Sequence, residues 1–219
     1  YVEDSWKITK EVLLYGGLMV AADEHRFMVR SRERCNWLQG LDGGFDPAQL
    51  SFLHSGTADH TVSAVPSRYE VVGTDFGFIC GTGRDLPNNE VSWTANVMLM
   101  PFHKIIGSTP AGAHVWVPMD DEHTLYVHFI AKSALKGYNL HPNTTDWNGR
   151  FRPLAQPEND FLLDRDLQRQ DKGLGGYTGI ANVRDQDRAI TSSMGHIVDR
   201  TVEHLGQTDS GIIRTRSRL

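Results

Sequence analysis

Residues 113–130 read AHVWVPMDDEHTLYVHFI, and this stretch decides the fold class. Two runs of alternating apolar and polar residues flank an acidic turn, which is the pattern of two antiparallel strands joined by a short loop. Similar runs precede them, separated by Gly, Pro, Asn and Asp. Consecutive short strands of this kind predict an antiparallel meander with strands at 69–72, 76–80, 91–97, 113–118 and 124–130.

Helices and irregular segments are predicted on both sides of the meander. Before it, we expect a hairpin at 12–20, a strand at 26–34 and mostly helical structure at 37–54. After it, residues 136–180 are rich in Gly, Pro and Asn and predict a long irregular segment, helical in part of 160–170. The final residues, 210–219, are basic and predict a short helix.

A long C-terminal helix is predicted from Asp187, with Gly206 ending it. Its apolar residues recur at helical spacing and would form one face: Ile190, Met194, Ile197, Val198, Val202 and Leu205. Helices flanking a large antiparallel sheet make the predicted class α+β, and we find no second domain within residues 1–219.

Composition excludes several classes of protein. The chain has 219 residues, a formal net charge of −5 and a hydrophobic share of 39%. An acidic balance without a basic patch argues against nucleic-acid binding. No apolar run reaches the roughly 18 residues of a membrane span. Two cysteines leave little scope for disulfides, which favours a reduced, cytoplasmic setting.

The segment DPAQLSFLH, residues 46–54, is the first candidate for chemistry. On a helix, Asp46, Gln49 and His54 share a face and could converge on a metal ion. Two imidazoles and a carboxylate on one side of the metal are the ligands of mononuclear non-haem iron sites. The structural alternative is that Asp46 and Gln49 form a capping box and His54 is a packing residue.

The acidic cluster at residues 184–187 is the second candidate. Asp187 could be a metal ligand, although acids at a helix start are also favoured by capping and by the helix dipole. His128 shares a strand face with Tyr126 and could line a cavity, but a hydrogen-bonded buried histidine is the simpler interpretation. His60 is an alternative ligand close to His54, with a surface position as its structural alternative.

Several motifs resemble one family, in order along residues 25–219. They are similar to the large subunits of Rieske-type aromatic-ring oxygenases of the phthalate dioxygenase kind. The matching stretches are CNWLQGLDGGFD (35–46), SFLH (51–54), SRYEV (67–71), DFGF (75–78), LMPF (99–102), GAHVWVPMDDEH (112–123), ENDFLLDR (158–165), RDQD (184–187), SMGHIVDR (193–200), EHLG (203–206) and Asp209.

The resemblance implies a fold and a site. The catalytic domain of that family has a helix-grip (Bet v 1/START-like) fold, a curved antiparallel sheet packed on a long C-terminal helix. The family's mononuclear Fe(2+) is held by an Asp-x2-His-x4-His motif and a distant Asp. Its second His falls on His54 and the distant Asp on Asp187. The leading Asp, which connects the iron to a neighbouring subunit's cluster, falls on Asp46.

The chain departs from the family's pattern at position 49, where Gln49 replaces the first ligand His. An amide oxygen is a poorer ligand for ferrous iron than an imidazole. Three outcomes follow: Gln49 is a weak ligand, His60 supplies the missing imidazole, or the site has lost iron and activity.

The chain also contains no Cys-x-His pair, which a Rieske [2Fe-2S] cluster requires. Cys35 is followed by Asn36, and Cys80 by Gly81. We therefore expect the cluster on a missing upstream domain or on another chain, or to have been lost.

Two functions are consistent with these features. In the first, the chain is the catalytic domain of an oxygenase that hydroxylates or O-demethylates an aromatic acid with dioxygen, as a homotrimer or heteromer. Its electrons would come from NAD(P)H through a reductase or ferredoxin and a Rieske domain. In the second, the chain is a non-catalytic relative or partner subunit that binds an aromatic ligand in the helix-grip cavity.

Overall fold

A seven-stranded antiparallel sheet forms the body of the protein. The computed structural model describes residues 26–55, 65–87, 89–107, 112–131, 151–170 and 177–219. The strands are β1 (Arg26–Glu33), β2 (Arg68–Thr74), β3 (Gly77–Asp85), β4 (Val91–Leu99), β5 (His103–Gly107), β6 (Gly112–Pro118) and β7 (Thr124–Ala131). Their order is β1-β7-β6-β5-β4-β3-β2.

The meander prediction is confirmed from β2 to β7, and β1 adds to its far side by pairing with β7. Strand β5 was not predicted, because its five residues HKIIG begin with two polar side chains and show no clear alternation. A cis peptide bond joins Met100 to Pro101 between β4 and β5. The predicted hairpin at 12–20 lies outside the described residues.

Helix α1 (Trp37–Phe45) begins where the side chain of Asn36 accepts a hydrogen bond from the Leu38 amide. It packs its buried Leu41 and Phe45 against the sheet. The other members of this core are Phe78, Cys80, Met98, Trp116 and Ile212. A helix that covers one sheet face in this way gives a two-layer α+β arrangement.

Two glycines of α1 allow the helix to lie directly on Trp116. A Cβ atom at Gly40 would be 2.5 Å from the indole, and one at Gly44 would be 2.4 Å from it. Gly40 and Gly44 are one turn apart and therefore on the same helix face. The indole is 6% exposed and fills the contact between helix and sheet.

The C-terminal part contains α2 (Arg165–Arg169), α3 (Val183–Ser193) and α4 (Ser210–Arg216). The helix predicted near 160–170 and that predicted at 210–219 are both present. The single long helix from Asp187 to Leu205 is wrong: α3 starts at Val183 and ends at Ser193, and Gly195 follows with a φ of +92°.

The predicted apolar face of that helix is also wrong. Ile190, Met194 and Ile197 are 49%, 44% and 61% exposed, while the buried residues of α3 are polar: Asp185, Gln186, Arg188 and Thr191. The face is polar because Arg188 donates to Glu33 of β1 at 2.8 Å and also pairs with Asp185. Hydropathy could not reveal a buried face made of ion pairs.

An ionic cluster attaches the C-terminal end to α1. Asp42 accepts hydrogen bonds from Arg200 at 2.9 Å and from Arg216 at 2.6 Å. Glu203 contacts both arginines as well. Since Arg216 belongs to α4, this cluster holds the last helix against the helix that covers the sheet.

Both cysteines are buried and unpaired by disulfides. Burial raises the pKa of the Cys35 thiol to about 12. Within the described ranges, every helix is too short or too polar to span a bilayer.

Candidate functional site

The candidate ligands lie on a series of turns that follows α1. Asp46 ends α1, and its Oδ1 accepts from the Ala48 amide at 2.8 Å, as an N-cap would. No regular helix follows, so the prediction of helix up to His54 is wrong: the Ser51 and Phe52 amides both donate to Ala48, and the His54 amide donates to Gln49.

These turns are held from the sheet rather than by helical packing. The guanidinium of the buried Arg84 on β3 donates to the Pro47 carbonyl at 3.2 Å. Phe52, which an amphipathic helix would bury, is 58% exposed. The turn conformation therefore depends on a contact with a strand distant in sequence, which local sequence signals do not encode.

His54 is the buried centre of the site, 3% exposed. Its Nε2 lies 2.9 Å from Oδ1 of Asp187, and its Nδ1 lies 2.7 Å from Oε1 of Gln186. The second His and the distant Asp of the family motif, His54 and Asp187, are thus in direct contact. Burial opposes a charge on the imidazole, but hydrogen bonds with Asp187 and Gln186 outweigh it and raise the pKa of His54.

The amide of Gln186 determines which nitrogen of His54 carries hydrogen. Its Nε2 donates to the Ile180 carbonyl at 2.7 Å, and a carbonyl can only accept. The Gln186 oxygen must therefore face His54, so Nδ1 of the imidazole is the donor. The raised pKa of His54 favours a proton on Nε2 as well, donated to the Asp187 carboxylate at 2.9 Å. In a neutral His54 the Nε2 lone pair would face that carboxylate instead, and a metal cation bound by both atoms would offset the repulsion.

Asp187 is in place because of how α3 begins. The side chain of Asn182 caps the helix by accepting from the Arg184 amide at 2.9 Å. The structural alternative for Asp187 was that it caps the start of this helix. That alternative is wrong, because Asn182 provides the cap. The residue lies just after the first turn and is 46% exposed, so it faces both His54 and an open cavity.

Gln49 and Asp46 line the same cavity as Asp187. The Gln49 amide nitrogen donates to the Gly43 carbonyl at 2.6 Å, which leaves its oxygen as the atom for binding a cation. Burial raises the pKa of Asp46, while the Ala48 amide opposes the rise.

At the cavity the described residues bring His54 and Asp187 into contact, and nowhere in the described ranges do three or more His, Cys, Asp or Glu form a group that could hold an ion. His60 belongs to residues 56–64, outside the described ranges. The side chains at the cavity that could donate to a cation are one imidazole (His54), one carboxylate (Asp187) and the amide oxygen of Gln49.

The cavity has a volume of about 380 Å³. Trp116 and Tyr126 form an aromatic part of its wall, with ring centroids 5.6 Å apart. Lys104 and His114 also line it. Sequence reasoning did not select these two residues, although His114 lies within the stretch that predicts the meander; the register of β5 against β6 was the missing information.

His128 is buried and hydrogen-bonded, as its simpler interpretation predicted. Its Nδ1 lies 3.2 Å from a guanidinium nitrogen of Arg184, and its ring packs edge-on against His114 at 4.1 Å between centroids. Arg184 itself lines the cavity. His123 is partly exposed, pairs with Asp120 at 2.9 Å and is not among the residues that line the cavity.

Two solved structures share this arrangement of sheet and helices. Dicamba monooxygenase bound to dicamba is 12% identical, with 89% of this chain and 57% of that chain covered and a TM-score of 0.53. NdmA of Pseudomonas putida CBB5 is 14% identical, with 91% and 50% covered and a TM-score of 0.56. At these identities the likeness shows the fold, and it confirms the predicted helix-grip α+β class.

Residues 18–219 match the family described as LigXa C-terminal domain like. The 3-chlorobenzoate-3,4-dioxygenase oxygenase subunit of Comamonas testosteroni is 34% identical over 86% of this chain and 50% of its own length. The phthalate 4,5-dioxygenase oxygenase subunit of Pseudomonas putida is 30% identical over 83% and 47%. The chain belongs to this family of oxygenase catalytic domains, and it spans about half the length of these curated relatives.

Proposed function

We propose that this chain is the catalytic domain of a Rieske-type oxygenase that hydroxylates or O-demethylates an aromatic acid. The observation that carries the proposal is the 2.9 Å contact between His54 and Asp187 beside a cavity with aromatic walls. The relatives whose names state an aromatic substrate, 3-chlorobenzoate and phthalate, support an acid as the substrate class.

In this proposal His54 and Asp187 hold a ferrous ion, with the Gln49 oxygen in place of a second imidazole. The fit rests on the Gln186 amide, which accepts from Nδ1 of His54 and so turns Nε2 toward the Asp187 carboxylate, 2.9 Å away. Such an ion would supply dioxygen activation when bound. The protein's part is to keep both ligands oriented and to hold the aromatic ring of the substrate against Trp116 and Tyr126.

Electrons require partners in this proposal. They would come from NAD(P)H through a reductase or ferredoxin and a [2Fe-2S] cluster on another domain or another chain. We assign Asp46 to the path by which they enter, as the resemblance to the family implies; the residue is half-buried and begins the turns that carry Gln49 and His54. A cytoplasmic homotrimer or heteromer is the assembly we propose.

One observation favours a second candidate, a non-catalytic or partner subunit that binds an aromatic ligand. Beside the cavity, the described residues bring together only one imidazole and one carboxylate, those of His54 and Asp187, and Gln49 stands where the family has a histidine. The cavity would then serve binding alone.

Iron content distinguishes the two candidates. The wild type, His54→Ala, Gln49→His and the surface control His123→Ala are loaded with ferrous iron anaerobically and then desalted. The first proposal expects near-stoichiometric iron in the wild type and in His123→Ala, with loss in His54→Ala. An iron-free wild type whose Gln49→His variant gains iron would support the second candidate instead.

A further inference from the structure

A row of three polar side chains crosses the cavity face of the sheet. Lys104 on β5 pairs with His114 on β6, and His114 pairs with His128 on β7. Directly opposed residues of an antiparallel pair lie on one face, with Cβ atoms about 4.5–5.5 Å apart. Lys104 and His114 are therefore neighbours on the cavity wall, next to Trp116 and Tyr126.

His114 has an unused hydrogen-bonding atom at this wall. Its Nε2 is buried and has no hydrogen-bond partner in the part of the chain that the structure describes. The ring is fixed edge-on by Trp116 and Tyr126, each at 5.6 Å between centroids. Burial lowers the pKa of His114 well below its usual range, so the imidazole is neutral and can donate one N–H.

Lys104, the neighbour of His114 on β5, has N–H donors that are not used in hydrogen bonds within the described residues. Its ammonium donates to the Gly44 carbonyl, which uses one of its three N–H groups. Within the described ranges Lys104 forms no ion pair, and Asp187 and Asp46 attract it only from a distance. Burial lowers the pKa of Lys104 to about 8, so the amine is largely cationic at neutral pH and lacks an anion in contact.

Together the two residues offer a cation and a neutral donor at one place on an aromatic wall. A carboxylate accepts hydrogen bonds from both at once, and bonds between charged groups are the stronger kind. A neutral amide cannot provide the charge. The volume of about 380 Å³ is near the lower end of the roughly 300–1,000 Å³ of ligand pockets, which favours a compact acid.

We propose that Lys104 and His114 form the subsite for the acid group of the ligand, an aromatic monocarboxylate whose ring packs on Trp116 and Tyr126. The inference rests on the proposed function for the aromatic nature of the ligand. It names the residues that select an acid, and it requires no bound metal.

Calorimetric titration of the metal-free chain with benzoate and benzamide tests the subsite, because the two differ in the acid group. We expect benzoate to bind the wild type at least tenfold more tightly than benzamide. Lys104→Gln should weaken benzoate at least tenfold and His114→Phe about fivefold, with benzamide changed less than twofold. The surface control His123→Phe should match the wild type.

Equal affinity for benzoate and benzamide in the wild type, or benzoate affinity unchanged in both cavity variants, would overturn the subsite. If a variant does not fold, a crystal structure of the wild type with 3-bromobenzoate decides: its carboxylate should contact Lys104, and a carboxylate elsewhere in the cavity refutes the assignment. Because iron loading is measured separately, iron without benzoate binding would leave the oxygenase proposal standing and remove only this subsite.

Discussion

Gln186 controls the form in which His54 meets Asp187. The residue is 1% exposed and makes two hydrogen bonds, one to the imidazole and one to the Ile180 carbonyl. Groups that orient a ligand imidazole commonly change metal affinity by about 10–100-fold when removed. Gln186 is thus a positioning residue for His54.

Replacement of Gln186 gives a prediction at the scale of one residue. Gln186→Leu removes the acceptor opposite Nδ1, so the hydrogen of a neutral His54 is no longer held on Nδ1. Cobalt(II) or ferrous binding should weaken by roughly 10–100-fold. Gln186→Glu keeps an oxygen opposite Nδ1 and should retain the tautomer. Nitrogen-15 NMR of labelled histidine measures the tautomer directly without any metal.

The exposed Gln170→Leu serves as the control for that pair of variants. A Gln186→Leu protein whose His54 still carries hydrogen on Nδ1, with unchanged metal affinity, would show that the imidazole is oriented by other contacts.

At the scale of elements, the contact between α1 and β6 depends on glycine. The Cβ atom of an alanine at position 44 would be 2.4 Å from the Trp116 ring, and at position 40 it would be 2.5 Å away. At Gly43 the nearest atom is Thr191 Cγ2 at 3.9 Å, an ordinary contact. The three glycines share a helix but differ in what lies opposite them.

Alanine substitutions in α1 should therefore have opposite effects. Overpacking a rigid contact costs about 1–3 kcal/mol, whereas Ala in place of a helical Gly is favourable by up to about 1 kcal/mol. We expect Gly44→Ala to lower the free energy of unfolding and Gly43→Ala to raise it slightly, a difference of roughly 1–4 kcal/mol in chemical denaturation. Equal stabilities would mean that the helix shifts away from the indole at no cost.

Elements with regular alternation were predictable, and those set by distant contacts were not. The sequences of β6 and β7 show their alternation locally, so these strands were predicted. The helix start at Asn36 was recognised as a cap only from the structure. Strand β5 is short and begins with His103 and Lys104, so the sequence shows no apolar alternation there and the strand was not predicted. The buried polar face of α3 depends on Arg188 meeting Glu33, a pairing between segments far apart in sequence.

The site was predictable to a similar degree. Spacing alone left His54 and Asp187 as helix-end residues, and the resemblance to a family supplied the expectation that they meet. The two side chains are in contact in the structure, and their role as metal ligands stays a prediction. Lys104 and His114 could not be foreseen, because only strand register places them together on the cavity wall.

At the scale of the whole molecule, the ionic cluster at Asp42 attaches the C-terminal helix to the core. Arg216→Gln removes the arginine that contacts both Asp42 and Glu203, and Arg200 alone remains to compensate the half-buried carboxylates. We expect a loss of roughly 1–3 kcal/mol in the free energy of unfolding, because polar groups inside the protein lose partners.

Arg214→Gln, on the exposed side of the same helix, is the matched control and should change stability by less than about 0.5 kcal/mol. Thermal unfolding of both variants measures the difference. If Arg216→Gln and Arg214→Gln unfold together at the wild-type temperature, the cluster does not secure α4.

Trp116 has two different surroundings, the glycine face of α1 on one side and the cavity with His114 and Tyr126 on the other. Indole emission depends on the polarity next to the ring. The emission of Trp116 therefore depends on the packing of α1 against one side of the ring. It also depends on whether water or an organic ring lies on the cavity side. The fluorescence of Trp116 should therefore change when a ligand enters the cavity and when α1 moves away from the sheet.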